Sequence, residues 1–386
     1  MTDEHLRNDP TNDPEGDPKS GPGNDASGGV ARGPSGDVLA VASQSGAAVH
    51  FFDAADHRRL GAVEVPGQPH ELCFDPVRRR LYATLTYRSG YYHAHSGQAH
   101  ELAVIDPDRR RLLDLVDLSP EVAPHGITLD GSGELLWISV EGAGHGPGGD
   151  TADGALVALD AETLEPVRRV PVGAPGPHWF ALAPDGSRAY SANKEAPFLS
   201  AVGTGPAGAA GTVRFPVAGG SEGIAVSRDG RYLYAAGPKA DFRAVGPAPD
   251  AGVRVLDAVT GEVVRTHRTE GFVFPVHVTV GGLVLAGELR MLAGGPGLGA
   301  QAPGLLHVYG EDGTERGSVE VGAFPLTVTS SPDGRYGYVA AVSAGTVTVV
   351  DLRAGTGRPS VVATLEVESA GEAGAHGLAY VTAPPR

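Results

Sequence analysis

From Asp37 onward the chain alternates apolar runs of five to eight residues with short clusters of Gly, Pro, Asp and Asn. Runs of that length, rich in Val, Leu, Ala and Tyr and bounded by turn formers, predict β-strands; no long stretch repeats its apolar positions every 3.6 residues, so helices are not expected. The clearest unit is GPHWFALAPDGSRAYSAN, Gly176 to Asn193: a Pro-His pair, an apolar run, an Asp-Gly turn and a second apolar run. Copies begin at Pro69, Pro124, Ser221, Val276 and Pro325, and a truncated one, AHGLAYV, begins at Ala375. With His178 as reference, the series is His70, His125, His178, Glu222, His277, Leu326 and His376, separated by 44 to 55 residues. A period near fifty with four strands per unit predicts an all-β, seven-bladed propeller.

The first unit lacks a leading strand, because VLAVAS at Val38 is preceded only by a polar segment, while the last copy supplies a strand with nothing after it. The ring is therefore expected to close by pairing the C-terminal strand with Val38 to Ala42, which leaves no free sheet edge. The Asp-Gly pairs at 185, 229 and 333 supply the positive φ of tight hairpins and lie on one face of the ring. The Pro-His positions and the long connections between second and third strands then share the other face.

Composition narrows the picture. In 386 residues with a formal charge of −16, Lys and Arg are too few for phosphate-backbone binding to be a natural role. The opening MTDEHLRNDPTNDPEGDPKSGPGNDASGG has no basic and apolar leader, and no run approaches the about 20 apolar residues of a membrane span, so a cytoplasmic protein without nucleic-acid or membrane partners is expected. Residues 1 to 35 are polar and Gly/Pro-rich and are read as a disordered tail ahead of a propeller over 36 to 386. The single Cys73, inside an apolar run, reads as a packing residue.

The units PDGSRAYSAN and SPDGRYGYVAAVSAGTVTVVD resemble the YVTN-type repeat of seven-bladed propellers, whose superfamily includes lactonase-like proteins. The resemblance spans about residues 37 to 382. It implies the fold and leaves function open, since that superfamily holds enzymes and binding proteins alike. The repeat asks for no histidine before the first strand, yet five of the seven units carry one.

Imidazoles and a carboxylate converging on one axis suit a transition metal, Fe, Cu, Zn or Ni. The expected ligands are His125, His178, His277 and His376, with Glu222 and His70 as further ligand, supporting group or proton carrier. Leu326 interrupts the ring, which places the centre away from blade 6 and leaves an apolar wall there, with Phe324 beside it. In the long connections, His93 and His95, two apart, would share a strand face, and Lys194 offers an amine; these join the catalytic candidates. Tyr91, Tyr92, His100, Glu195 and Arg290 are candidates for holding a small-molecule substrate. Three functions are consistent with the pattern: a metal-dependent enzyme acting by Lewis-acid, lyase, hydrolytic or redox chemistry; a non-catalytic propeller that binds a ligand or protein; and a metal-free lactonase. The competing structural reading is that each imidazole caps a backbone carbonyl. No GxSxG elbow, phosphate loop or CxxC pair points elsewhere.

Overall fold

In a computed structural model the described residues are 36–90, 95–143, 154–205, 211–243, 248–295, 297–353, 357–368 and 374–385. They form seven four-stranded antiparallel sheets. Blade 1 starts with the inner strand Gln68–Asp75, and blades 2 to 6 start with Glu121–Leu129, Pro177–Leu182, Ile224–Val226, Phe272–Val278 and Pro325–Ser330. Blade 7 is composite: Ala375–Val381 is its inner strand, and Val38–Ser43, Ala48–Asp53 and Arg59–Glu64 complete it. Val38 pairs with Val381 and Ala40 with Ala379, so the ring is closed as the truncated seventh copy predicts.

The apolar cores lie between blades, because each sheet buries both faces against its neighbours. Leu136 and Ile138 of blade 2 pack with Tyr82 and Leu102 of blade 1, and Val41 of blade 7 packs with Tyr338 and Val349 of blade 6. One large aromatic recurs at the same place in five second strands: Tyr82, Trp137, Tyr190, Tyr234 and Tyr338 are all at most 3% exposed. Rings of this size bury enough apolar area to seal the junctions between sheets. The Asp-Gly turns behave as their sequence requires, with φ of +68° at Gly186, +73° at Gly230 and +65° at Gly334. No helix among the described residues is long and apolar enough to cross a membrane.

Blade 5 departs from the others in its first hairpin. In blades 2, 3, 4 and 6 the turn is closed by a bond spanning five residues, as from Ala183 N–H to the Arg188 carbonyl; in blade 5 it spans four, from Thr279 N–H to the Leu283 carbonyl. Counting five residues back from the turn gives His125, His178, Glu222 and Leu326 in those four blades, and Phe274 in blade 5. The element counterpart of His178 in blade 5 is thus Phe274, and His277 stands three residues further along the strand.

Candidate functional site

The residues at that one position, taken around the ring, are His376, His70, His125, His178 and Glu222 on blades 7, 1, 2, 3 and 4, then Phe274 and Leu326 on blades 5 and 6. They split the channel wall into a polar arc of five and an apolar arc of two. The glycines that follow three of them explain how closely the inner strands converge. A Cβ on Gly126 would lie 3.0 Å from the His178 carbonyl oxygen, on Gly377 2.3 Å from that of His70, and on Gly223 2.0 Å from that of Phe274. Side-chain hydroxyls hold the same carbonyls in place: Thr84 Oγ1 donates to the His125 carbonyl at 2.8 Å and Ser139 Oγ to that of His178 at 2.5 Å.

Four imidazoles consequently meet. Ring centroids are 3.8 Å apart for His70 and His376, 4.3 Å for His70 and His125, 4.5 Å for His125 and His178, and 5.7 Å for His70 and His178. All four are 1–2% exposed. His70, His125 and His178 each present a ring nitrogen within 4.8 Å of the others, and His70, Glu71 and His376 form a second such group. Nδ1 of each of the four has no hydrogen-bond partner, and in His178 neither ring nitrogen has one. The imidazoles do not act as caps for backbone carbonyls through these atoms.

Burial governs the electrostatics. Desolvation and the neighbouring imidazoles hold His70 and His178 well below the ordinary histidine range, and desolvation brings His125 down to about 4, opposed by its bond to Glu141. These three rings are neutral at pH 7, the form that ligates metal. Burial pushes the Glu222 carboxyl up, and its Oε2 lies 3.9 Å from His178 Nδ1 without a hydrogen-bond partner. His125 Nε2 lies 2.9 Å from Glu141 Oε1, which also accepts from Lys194 Nζ at 2.9 Å, while Gln98 Nε2 donates to Glu141 Oε2 at 3.1 Å. Lys194 and His125 outweigh burial and hold the Glu141 carboxyl well below the usual carboxylate range.

The structure therefore brings together His70, His125, His178, His376 and Glu222, with Lys194 one step outside through Glu141. His277 is not among them. Its Nε2 meets Ser330 Oγ at 2.9 Å lower in the channel, because it stands only two residues before the turn-closing Thr279, whereas His178 stands five before Ala183. His95 stacks on Tyr87 at 4.4 Å, and the Tyr87 ring is 6.0 Å from that of His125. Glu195 pairs with Lys239 at 2.5 Å at the surface; His100 lies 3.9 Å from Asp117; Arg290 donates to the Pro303 carbonyl at 3.3 Å. None of these three contacts a ring residue. Phe324 is fully buried against Phe274 and Phe242, where it backs the apolar arc without lining an opening. Tyr91, Tyr92 and His93 lie outside the described residues.

Two members of the site carry no sequence signal of their own. Glu71 follows His70; its Oε1 lies 3.3 Å from His376 Nδ1 and accepts from Thr327 Oγ1 at 3.4 Å. Glu141 belongs to the second strand of blade 2 and meets Lys194 across 53 residues of chain. Alignment of the units on their turns could have found Glu71 by its neighbour; the Glu141 contact needs the curvature of the ring.

No protein-family model matches the chain, and no curated protein matches it in sequence. Solved structures do. The periplasmic gluconolactonase of Pseudomonas aeruginosa is similar with a TM-score of 0.64 at 18% identity, covering 90% of this chain and 99% of that one. A putative 6-phosphogluconolactonase from Bacteroides fragilis gives 0.62 at 14%, covering 90% and 99%. A functionally unknown protein from Desulfotomaculum acetoxidans gives 0.62 at 11%, covering 89% and 99%. At these identities the likeness establishes the seven-bladed propeller over nearly the whole of each chain.

Proposed function

We propose that this propeller is a hydrolytic enzyme that opens a small cyclic ester with the help of a transition-metal ion, Fe, Cu, Zn or Ni, held by His70, His125, His178 and His376. The observation that carries the reading is the set of buried, partnerless ring nitrogens, above all both nitrogens of His178. An unsatisfied buried polar atom costs about 1–3 kcal/mol, and the ring nitrogens that His70, His125 and His178 bring within 4.8 Å of one another ask for a common partner, with His376 grouped beside them through His70 and Glu71. Neutral imidazoles fit such an ion, which when bound polarises a carbonyl oxygen and makes water more acidic.

The chain's own groups do the rest. Glu141 orients the His125 ring and is itself fixed by Lys194 and Gln98, the carboxylate-to-histidine support that tunes a ligand. Glu222, pushed toward its protonated form by burial, is placed to hold a proton beside His178. Phe274 and Leu326 keep water off the opposite side of the channel. The cyclic-ester class is supported by the likeness to a gluconolactonase and to a putative 6-phosphogluconolactonase.

That likeness is equally consistent with a second reading, metal-free lactone hydrolysis with His125 as base and Glu141 behind it. One experiment separates the two. Protein purified without a polyhistidine tag should carry near-stoichiometric metal by elemental analysis, and His178→Ala should lose most of it and the hydrolysis of glucono-δ-lactone together while keeping its circular dichroism. Undiminished metal in the variant, or full activity after metal removal, would sink the metal reading and leave the His125–Glu141 pair.

A further inference from the structure

The long connections of the histidine face are the natural place to look for an entrance, but two cavities lined by described residues lie on the other side of the cluster. Beneath the four imidazoles is a cavity of about 150 Å³ whose walls include Glu71, Trp179, Leu326 and Thr327. Below it is a wider one of about 380 Å³, lined by the inner strands of blades 2 to 5, among them Phe180, Ala181, Val278 and His277, and reaching Gly131 and Pro184 in the hairpin turns. Ile224 and Val276 belong to both walls, so the two cavities adjoin at those side chains, which form the neck between them. On the histidine side, the described residues close over the site: Tyr87, backed by His95, stands beside His125; Lys194 and Glu141 cover it further; and Phe242, Met291 and Leu298 pack onto Phe274 and Phe324.

We infer that substrate reaches the histidine cluster from the hairpin-turn face, through the central channel, and that it is a small, uncharged molecule. This rests on the reading of the cluster as the reactive site. Neither section is lined by a Lys or Arg, so an anionic group would leave water without a countercharge. Glu71, the one acid in the wall, adds a further penalty for anions. The polar handles along the route are neutral: Thr128 and the His277–Ser330 pair in the wide section, Thr327 and Thr329 above the neck. His277, which is absent from the cluster, is on this route as a waypoint. A cyclic ester without phosphate fits the channel, and a phosphorylated sugar lactone does not.

Diethyl pyrocarbonate, a small uncharged reagent that acylates neutral imidazoles, tests the route independently of any activity. After dialysis against dipicolinate, modification of each histidine is followed by peptide mass spectrometry. Val276→Trp should slow reaction at His70, His125, His178 and His376 at least about tenfold while His277, below the neck, reacts at its usual rate. Met291→Trp, on the other face, should change neither. Gly131→Phe, at the lower mouth where a Cβ has room, is the second obstruction should Val276→Trp lose its circular dichroism; it should slow His277 and the cluster alike. Slowing by Met291→Trp but by neither channel variant would overturn the route. Protection of the cluster by δ-valerolactone but not by butyl phosphate is expected at equal millimolar concentration; the reverse would overturn the substrate class. If His178→Ala keeps its metal, the proposed function fails while the acylation rates still decide the route.

Discussion

His277 offers a quantitative test of how the channel treats charge. Its ring is bonded through Nε2 to Ser330 Oγ, and burial alone, with no neighbouring charge, brings it down to about 4. In the unfolded chain a histidine titrates near ~6.5. The folded value is the lower one, so the folded state favours the neutral ring, and its contribution is present above about 6.5 and lost as pH falls toward 4. At pH 5 the unfolded histidine is about 97% protonated and the folded one about 9%, a difference of about 2 kcal/mol, or roughly 30-fold in the folded-to-unfolded ratio. His277→Gln keeps a donor for Ser330 and removes the titration. Urea unfolding at pH 7.5 and 5.0 should show the natural chain losing about 2 kcal/mol more than the variant between the two pH values, by linear extrapolation. Carbon-bound proton resonances of the His277 ring should titrate near 4 in the same samples. Equal losses within about 0.5 kcal/mol, or a ring titrating at its solution value of ~6.5, would refute the claim that the channel excludes protons from His277.

Two further outcomes follow from the geometry. Gly223→Ala, whose Cβ would fall 2.0 Å from the Phe274 carbonyl, should destabilise by about 3 kcal/mol or more, and Gly126→Ala, at 3.0 Å from the His178 carbonyl, by less, as thermal midpoints would show; equal midpoints would contradict the close approach of the inner strands. Lys194→Met leaves the Glu141 carboxylate without its cation and should cost roughly 3 kcal/mol at pH 7.5, with much of it regained in the Lys194→Met/Glu141→Gln double variant; a double variant as weak as the single would mean the ion pair is not what the loss measures.

Much of this was written in the chain. Asp-Gly turns and apolar runs at a period near fifty define seven blades, and the orphan strand at Ala375 implies closure, because both are local patterns repeated often enough to average out noise. His70, His125 and His178 are legible as a set because each stands five residues before a turn, and His376 joins them through the likeness of AHGLAYV to the other copies. His277 misleads because Pro275-Val276-His277 imitates the Pro-His pair three residues nearer the turn, and the Phe274 at the true position has no signal against an apolar background. The pairing of Glu141 with Lys194, and the walling of the channel by Trp179 and Val276, depend on how far blades rotate about the axis, which no spacing within one unit encodes.

The closure of blade 7 has a consequence for synthesis. Val38–Ser43 is made well before its inner partner, which follows 343 residues later by the Val38–Val381 pairing. Until then one flank of that strand is an unsatisfied edge, open to any other extended segment. A ribosome-bound chain of six finished blades is still an open arc, and His376 arrives only with the closing strand. The four-imidazole cluster and the sealed ring therefore come into being together, once that strand has been made.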